Sequence, residues 1–313
     1  MSVNKPTEKN NLPIGIFDSG MGGLTVLKEL MQQLPKESFI YLGDTARLPY
    51  GTKSPETVRR YSEQMASILI QQNIKLLVVA CNTASAAALP FLEEQFPELP
   101  ILGVIKPSAL LAVKTTRNKT IAVLATEATI ASQVYQNTIR DLCEDANVIT
   151  QSCSLFVALA EEGCIDDDIV KAAIKKYIQP IVDMPDPCDT VLLGCTHFPV
   201  LSKPIQRFLG PNIAIINSAN ATAAAVEALL NKLKLRNSTN NATARFLVTD
   251  LPERFIRIGK LFLEREINSS AVDLIDVSSE NKTFVPELEL SHPERSEGSP
   301  SEFFSGDPSL RSG

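Results

Sequence analysis

KLLVVACNTAS, residues 75–85, opens on an apolar run and closes on a cysteine, an amide and two small hydroxyl residues. Residues 75–80 read as a buried strand, after which the chain turns toward a helix N-terminus. A strand without polar alternation needs cover on both faces, which a parallel sheet between helices provides. The same character recurs on either side. PIGIF (13–17) is a strand, DSGMGG (18–23) a Gly-rich turn, and LTVLKELMQQL (24–34) a helix with Leu24, Leu27, Leu30 and Met31 on one face. FIYLGD (39–44) is the next strand, 54–72 a helix with Pro55 at its start, and ILGVI (101–105) a fourth strand.

A second series follows. TIAVLAT (120–126) is a strand, 128–142 a helix, SLFVALAEEG (154–163) leads into a helix, and 167–181 is another. TVLLG (190–194) and IAIIN (213–217) are strands, 219–233 a helix, FLVTD (246–250) a strand and 252–263 a helix. LLVVACNTAS (76–85) and TVLLGCTHFP (190–199) echo each other, as do PIGIFDSG and TIAVLATEAT, each pair running strand, then a hydroxyl-bearing turn. The expected fold is α/β, with two similar domains related by a pseudo-twofold. Each is a mostly parallel sheet flanked by helices, and the active site lies in the cleft between them. Residues 12–103 with 216–278 form the domain carrying Cys81, and 104–215 the domain carrying Cys195. Residues 1–11 read as a loose arm and 279–313, rich in Ser, Pro, Gly and Glu, as a disordered tail.

The 313 residues are 44% hydrophobic and 21% charged, enough to bury a core. A net charge of -6 gives no nucleic-acid footprint. No apolar stretch approaches the roughly 20 residues that cross a bilayer, and the start, MSVNKPTEKNN, has no signal-peptide core. The expected location is the cytoplasm. The two N-x-S/T sequons at Asn237 and Asn241 then read as loop composition. Six cysteines diluted over this length, without a CxxC pair, read as reduced thiols rather than disulfides or a zinc site, and with two histidines no metal is expected.

A lone cysteine after a buried strand is most often a small core residue. Cys81 and Cys195 occupy matched settings, each beside hydroxyls where a strand gives way to a helix N-terminus, which draws a thiol pKa from about 8.5 toward neutrality. Cys143, Cys164 and Cys188 fall in helix or loop text, and Cys153 reads as opening a strand. Two such thiols suit either a reversible disulfide or two-base proton transfer, in which one removes a proton from a carbon and the other returns one from the opposite face. Without further context Asp18 is a helix N-cap, Glu161 a solvated helix residue, His197 a turn residue, and each Thr or Ser a cap. DSGMGG alone also suits phosphate, although it fits neither a Walker loop nor GxGxxG.

IGIFDSGMGGLTVL, YLGDTARLPYGTKS, VVACNTASA and LLGCTHFP, in that order, resemble the cofactor-independent glutamate racemases over about residues 14–263. Aspartate racemases differ around the first glycine turn and after the second cysteine. The resemblance implies that Cys81 and Cys195 are the catalytic acid/bases, acting on the D- and L-enantiomer respectively. Asp18 would assist Cys81, and Glu161 and His197 would assist Cys195. It assigns the substrate's carboxylates and ammonium to Ser19, Asn82, Thr83, Thr196 and the backbone at Pro49, Tyr50 and Gly51, with Thr126 and Thr129 closing the pocket. It implies L-/D-glutamate as the small-molecule substrate, no cofactor, supply of D-glutamate for peptidoglycan, and a possible homodimer. Lys106 stands where an acidic residue is usual, which bears on the hinge or a partner surface. Asn217 stands where Asp is usual, which bears on structure alone. The competing readings are a racemase for aspartate or another acidic amino acid, and a thiol redox protein. A periplasmic-type binding module and a pyridoxal phosphate enzyme fit less well, since there is no signal peptide and no Lys in the cysteine turns.

Overall fold

The computed structural model describes residues 8–239 and 241–277. Ten strands and eleven α-helices alternate along them. β1 (Ile14–Asp18), β2 (Phe39–Gly43), β3 (Leu76–Val79), β4 (Ile101–Gly103), β9 (Ala244–Val248) and β10 (Val272–Leu274) form a parallel sheet in the order β10-β9-β2-β1-β3-β4. β5 (Thr120–Ala125), β6 (Asn147–Ser152), β7 (Thr190–Gly194) and β8 (Ala214–Asn217) form a second parallel sheet, ordered β6-β5-β7-β8. The segments β2-β1-β3-β4 and β6-β5-β7-β8 share one topology. In each, the chain lays its second strand on one side of the first and its third on the other.

Side chains alternate across the strands, so each face recruits different helices. In the larger sheet Phe17, Leu42, Leu77 and Val79 pack on α2 (Pro55–Gln71) and α3 (Asn82–Gln95), through Met65, Leu69, Ala84 and Ala88. Ile14, Ile16, Leu76 and Val78 face the other way, toward α1 (Leu24–Gln33), α10 (Ser218–Leu233) and α11 (Pro252–Leu263). In the smaller sheet Ala122, Leu124, Val191 and Leu193 pack on α7 (Leu155–Glu161), α8 (Asp168–Val182) and α9 (Ser202–Leu209). Its opposite face, with Ile121, Val123 and Leu192, joins the first cluster beside α4 (Ile105–Thr115). One apolar core thus runs between the two sheets.

The structure departs from the sequence reading in several places. The helix expected over 128–142 is two, α5 (Glu127–Ala131) and α6 (Val134–Leu142), broken where Gln133 takes φ 56°. β6 was not expected: it is an edge strand with no fully buried position, so its text shows no apolar run. Cys153 therefore follows a strand rather than opening one. The expected boundary between 215 and 216 falls inside β8, whose four residues belong to the smaller sheet. Of the arm read over 1–11, Glu8–Asn11 is a 3-10 turn. It is held by the fully buried Lys75, which pairs with Glu37 and donates to the carbonyls of Asn10 (2.6 Å) and Leu235 (2.9 Å). Residues 1–7 and the tail at 279–313 lie outside the described residues. Lys106 is exposed in the first turn of α4. Asn217 caps α10, its Oδ1 accepting from Ala219 N at 2.9 Å.

Candidate active site

In open α/β sheets a crevice forms where neighbouring strands send their connections to opposite sides. That switch lies between β1 and β3 in one sheet and between β5 and β7 in the other. Ser19 and Cys81 stand just past the first pair, Thr126 and Cys195 just past the second. The two cysteines line a single cavity of about 20 Å³, room for one water, together with Ser19, Pro49, Tyr50, Gly51, Asn82, Thr83, Thr126, Thr196 and His197. Asp18, Glu161 and Thr129 stand one layer behind. Asp18 touches Thr196, Glu161 touches His197, and Thr129 touches Thr83 and Thr126. All fourteen candidates named from sequence thus meet at one place. Val157, from α7, lines the same cavity and was not among them.

Cys81 replaces the usual hydroxyl or carboxylate at the N-cap of α3. Its Sγ accepts from Ala84 N at 3.4 Å and donates to Ser19 Oγ at 3.6 Å. Helix-end placement suggested a thiol near neutrality. Burial instead pushes it up to about 12, and the Asp18 carboxylate adds to the rise. The Ala84 N–H and the Ser19 hydroxyl oppose this without prevailing. In the resting protein Cys81 holds its proton. Asp18 is itself raised by burial, against the opposing His197 charge and the N–H groups of Gly23 and Gly20. It accepts from Gly20 N at 3.0 Å and Thr196 Oγ1 at 3.3 Å.

Around Cys195 the charges are opposite in sign. Its Sγ lies 3.8 Å from His197 Nδ1, and His197 Nε2 lies 3.0 Å from Glu161 Oε1. Burial disfavours an imidazolium here, but hydrogen bonds to Cys195 and Glu161, with their charges, bring His197 up to about 10. At neutral pH the ring is therefore protonated and presents an N–H to each neighbour. The glycines of the DSGMGG turn make room for this packing. A Cβ on Gly22 would stand 2.5 Å from His197 Nδ1, and one on Gly23 2.6 Å from Asp18 Cβ. That explains the turn without a phosphate.

Three hydroxyls close one side of the site. Thr83 on α3 lies 3.1 Å from both Thr126 and Thr129 on the smaller-sheet side, and these are 3.0 Å from each other. Tyr135 of α6 donates to Asn82 Oδ1 at 2.7 Å, while Asn82 Nδ2, buried at the cavity, has no partner among the described residues. Asp44 after β2 sets the Pro49–Gly51 segment: it accepts from the Tyr50 hydroxyl and from Thr249 Oγ1 (3.0 Å) and holds Arg47 Nε. Tyr135 carried no signal in sequence, because its partners Asn82 and Ser108 lie on other elements, whereas Asp44 finds Arg47 and Tyr50 within six residues and only Thr249 far along the chain. All six cysteines are free thiols. Among the described residues no group of three or more His, Cys, Asp or Glu is placed to hold a metal ion, and no helix is long and apolar enough to cross a membrane.

Residues 14–226 match the Asp/Glu/Hydantoin racemase family. The chain is 46% identical over 251 residues to the glutamate racemase of Geobacter metallireducens, covering 80% of this chain and 92% of that one. Its fold is similar to the crystal structure of glutamate racemase from Francisella tularensis in complex with D-glutamate. The TM-score is 0.80 and the identity 37%, covering 86% of this chain and 99% of the other. A glutamate racemase isoform from Bacillus anthracis gives a TM-score of 0.81 at 37% identity, over 85% of this chain and 98% of that one.

Proposed function

Because the chain belongs to the Asp/Glu/hydantoin racemase family, we propose that it interconverts L- and D-glutamate, moving the α-proton between two thiols without a cofactor. The observation that carries this reading is that Cys81 and Cys195, at matched positions of two like-ordered sheets, line one cavity.

The resting charges define a direction for the first step. Cys195 faces a protonated His197 and acts as the base; Cys81, which keeps its proton, acts as the acid. The Cys195 sulfur takes the α-proton of L-glutamate, and the C–H electron pair stays on the α-carbon beside the carboxylate. Cys81 then delivers its proton to the opposite face, giving D-glutamate and a Cys81 thiolate. The reverse reaction runs the same steps backward, with Asp18 on the Cys81 side and Glu161–His197 on the other steering the protons.

The carbanion is the costly species, so its carboxylate needs donors fixed in advance and shielded from water. Asn82 Nδ2 is such a donor, buried and without a partner among the described residues. The hydroxyls of Ser19, Thr83 and Thr196 and the backbone around Gly51 supply others, and no Lys or Arg lines the cavity to compete with the thiolate for the substrate's charge. A space of about 20 Å³ is too small for glutamate, so the substrate enters when the two sheets part and Thr83 leaves Thr126 and Thr129. In this scheme residues 12–103 with 218–277, and 104–217, are the two bodies that open and close. The product serves cell-wall peptidoglycan, the reaction runs in the cytoplasm, and two copies pair as a homodimer. The test is circular dichroism of the purified protein with L-glutamate, D-glutamate and L-aspartate. Loss of signal from both glutamate enantiomers supports the reading, and a preference for aspartate overturns it.

A further inference from the structure

The proton relay behind Cys195 is braced from the other sheet. His197 follows β7 and Glu161 ends α7, both on the smaller-sheet side. Two groups that steady them come from α11, which follows β9 of the larger sheet. Arg254 Nη1 lies 3.8 Å from Glu161 Oε2. Its Nη2 lies 3.5 Å from the Glu161 carbonyl and 3.2 Å from Glu162 Oε1, donating to both. About two turns further along α11, Phe262 meets the His197 ring edge to face, with centroids 5.4 Å apart and planes at 84°.

Each contact has a physical reason. The last turn of α7 leaves carbonyls without helical partners and carries the negative end of the helix dipole, so a guanidinium is favoured there. Glu161 offers Oε1 to His197 and Oε2 to Arg254, so the arginine fixes the rotation of the carboxylate that orients the imidazole. Phe262 limits the tilt of that imidazole. The Asp18 carboxylate is held differently, by Gly20 N of its own turn and by the hydroxyl of Thr196 from the smaller-sheet side.

We propose that Arg254 and Phe262 are positioning residues for the Cys195 half of the reaction alone, so that the docking of α11 sets the rate of proton transfer at one face of the α-carbon. This rests on the two-thiol reading above. Enantiomers have equal free energy in water, so kcat/KM must fall by the same factor in both directions whichever thiol is impaired. Rates alone cannot locate the defect, but isotope effects can.

In Arg254→Gln, kcat/KM is expected to fall on the order of tenfold in both directions, less than the hundredfold that a misplacement of about 1 Å costs. The deuterium isotope effect on kcat/KM should rise for the α-deuterated enantiomer that Cys195 deprotonates and fall for the other. Arg254→Lys, which keeps the charge but loses the fork, should lie between wild type and Arg254→Gln; it carries the same test if glutamine loosens α11. Cys195→Ser identifies the reference enantiomer, as the one whose α-proton exchange in deuterated water is lost. Isotope effects that stay unchanged or move together, or an unchanged kcat/KM, overturn the role of α11. Full racemisation by Cys195→Ser would instead overturn the two-thiol reading itself.

Discussion

Asp18→Asn removes one negative charge beside Cys81 while leaving the side chain an oxygen for Gly20 N and an amide for Thr196. Cys81 stands at about 12, so at pH 8 only about one sulfur in ten thousand is ionised. Burial is the larger cause of that value and the Asp18 carboxylate the next. A like charge this close moves a thiol by about one pH unit or more, so its removal should raise the thiolate population roughly tenfold at fixed pH. The assay is alkylation of Cys81 by iodoacetamide across pH, read by peptide mass spectrometry. The midpoint should move down in the variant, and racemisation should fall even as Cys81 becomes more reactive. A midpoint that stays or moves up would refute the reasoning, because the carboxylate would then not be acting on the thiol through its charge.

Two further outcomes follow from buried charges. Lys75→Met takes from the buried Glu37 its closest cation, leaving it Arg236 Nε at 3.9 Å and the N–H of Asn237, and removes the ammonium donor shared by the carbonyls of Asn10 and Leu235, so urea unfolding should show a loss of about 3–5 kcal/mol. Adding Glu37→Leu should recover only part, and a loss below about 1 kcal/mol would contradict the pairing. His197 is raised in the fold to about 10 from an ordinary 6.5, so its ion pairing stabilises the protein fully below about pH 6.5 and fades as the pH climbs toward 10. Urea midpoints at pH 6.5, 8 and 9.5 should decline, and His197→Gln should flatten that decline.

Most of the sheet architecture was legible because central parallel strands are buried on both faces and read as unbroken apolar runs; β1, β3, β5 and β7 all announce themselves so. The edges do not. β6 has no fully buried position and β10 spans three residues, so neither carries a pattern. The break at Gln133 was hidden because a left-handed residue between two helical patterns need not be glycine.

Within the site, Cys81 and Cys195 could be found from their matched strand ends, whereas Glu161 could not. Its text is that of a solvated helix end, and only its partners His197 and Arg254, 36 and 93 residues away, show otherwise. The Cys81 pKa ran opposite to the expectation for a helix N-cap. Desolvation depends on tertiary burial, which a local pattern does not contain, and here it exceeds the contribution of one N–H group.

The most direct test measures inversion and α-proton exchange of each glutamate enantiomer in deuterated water by Cys81→Ala and Cys195→Ala. The two-thiol mechanism requires both variants to lose inversion, any residual exchange being confined to a different enantiomer in each. Inversion at an undiminished rate by either single variant would contradict it.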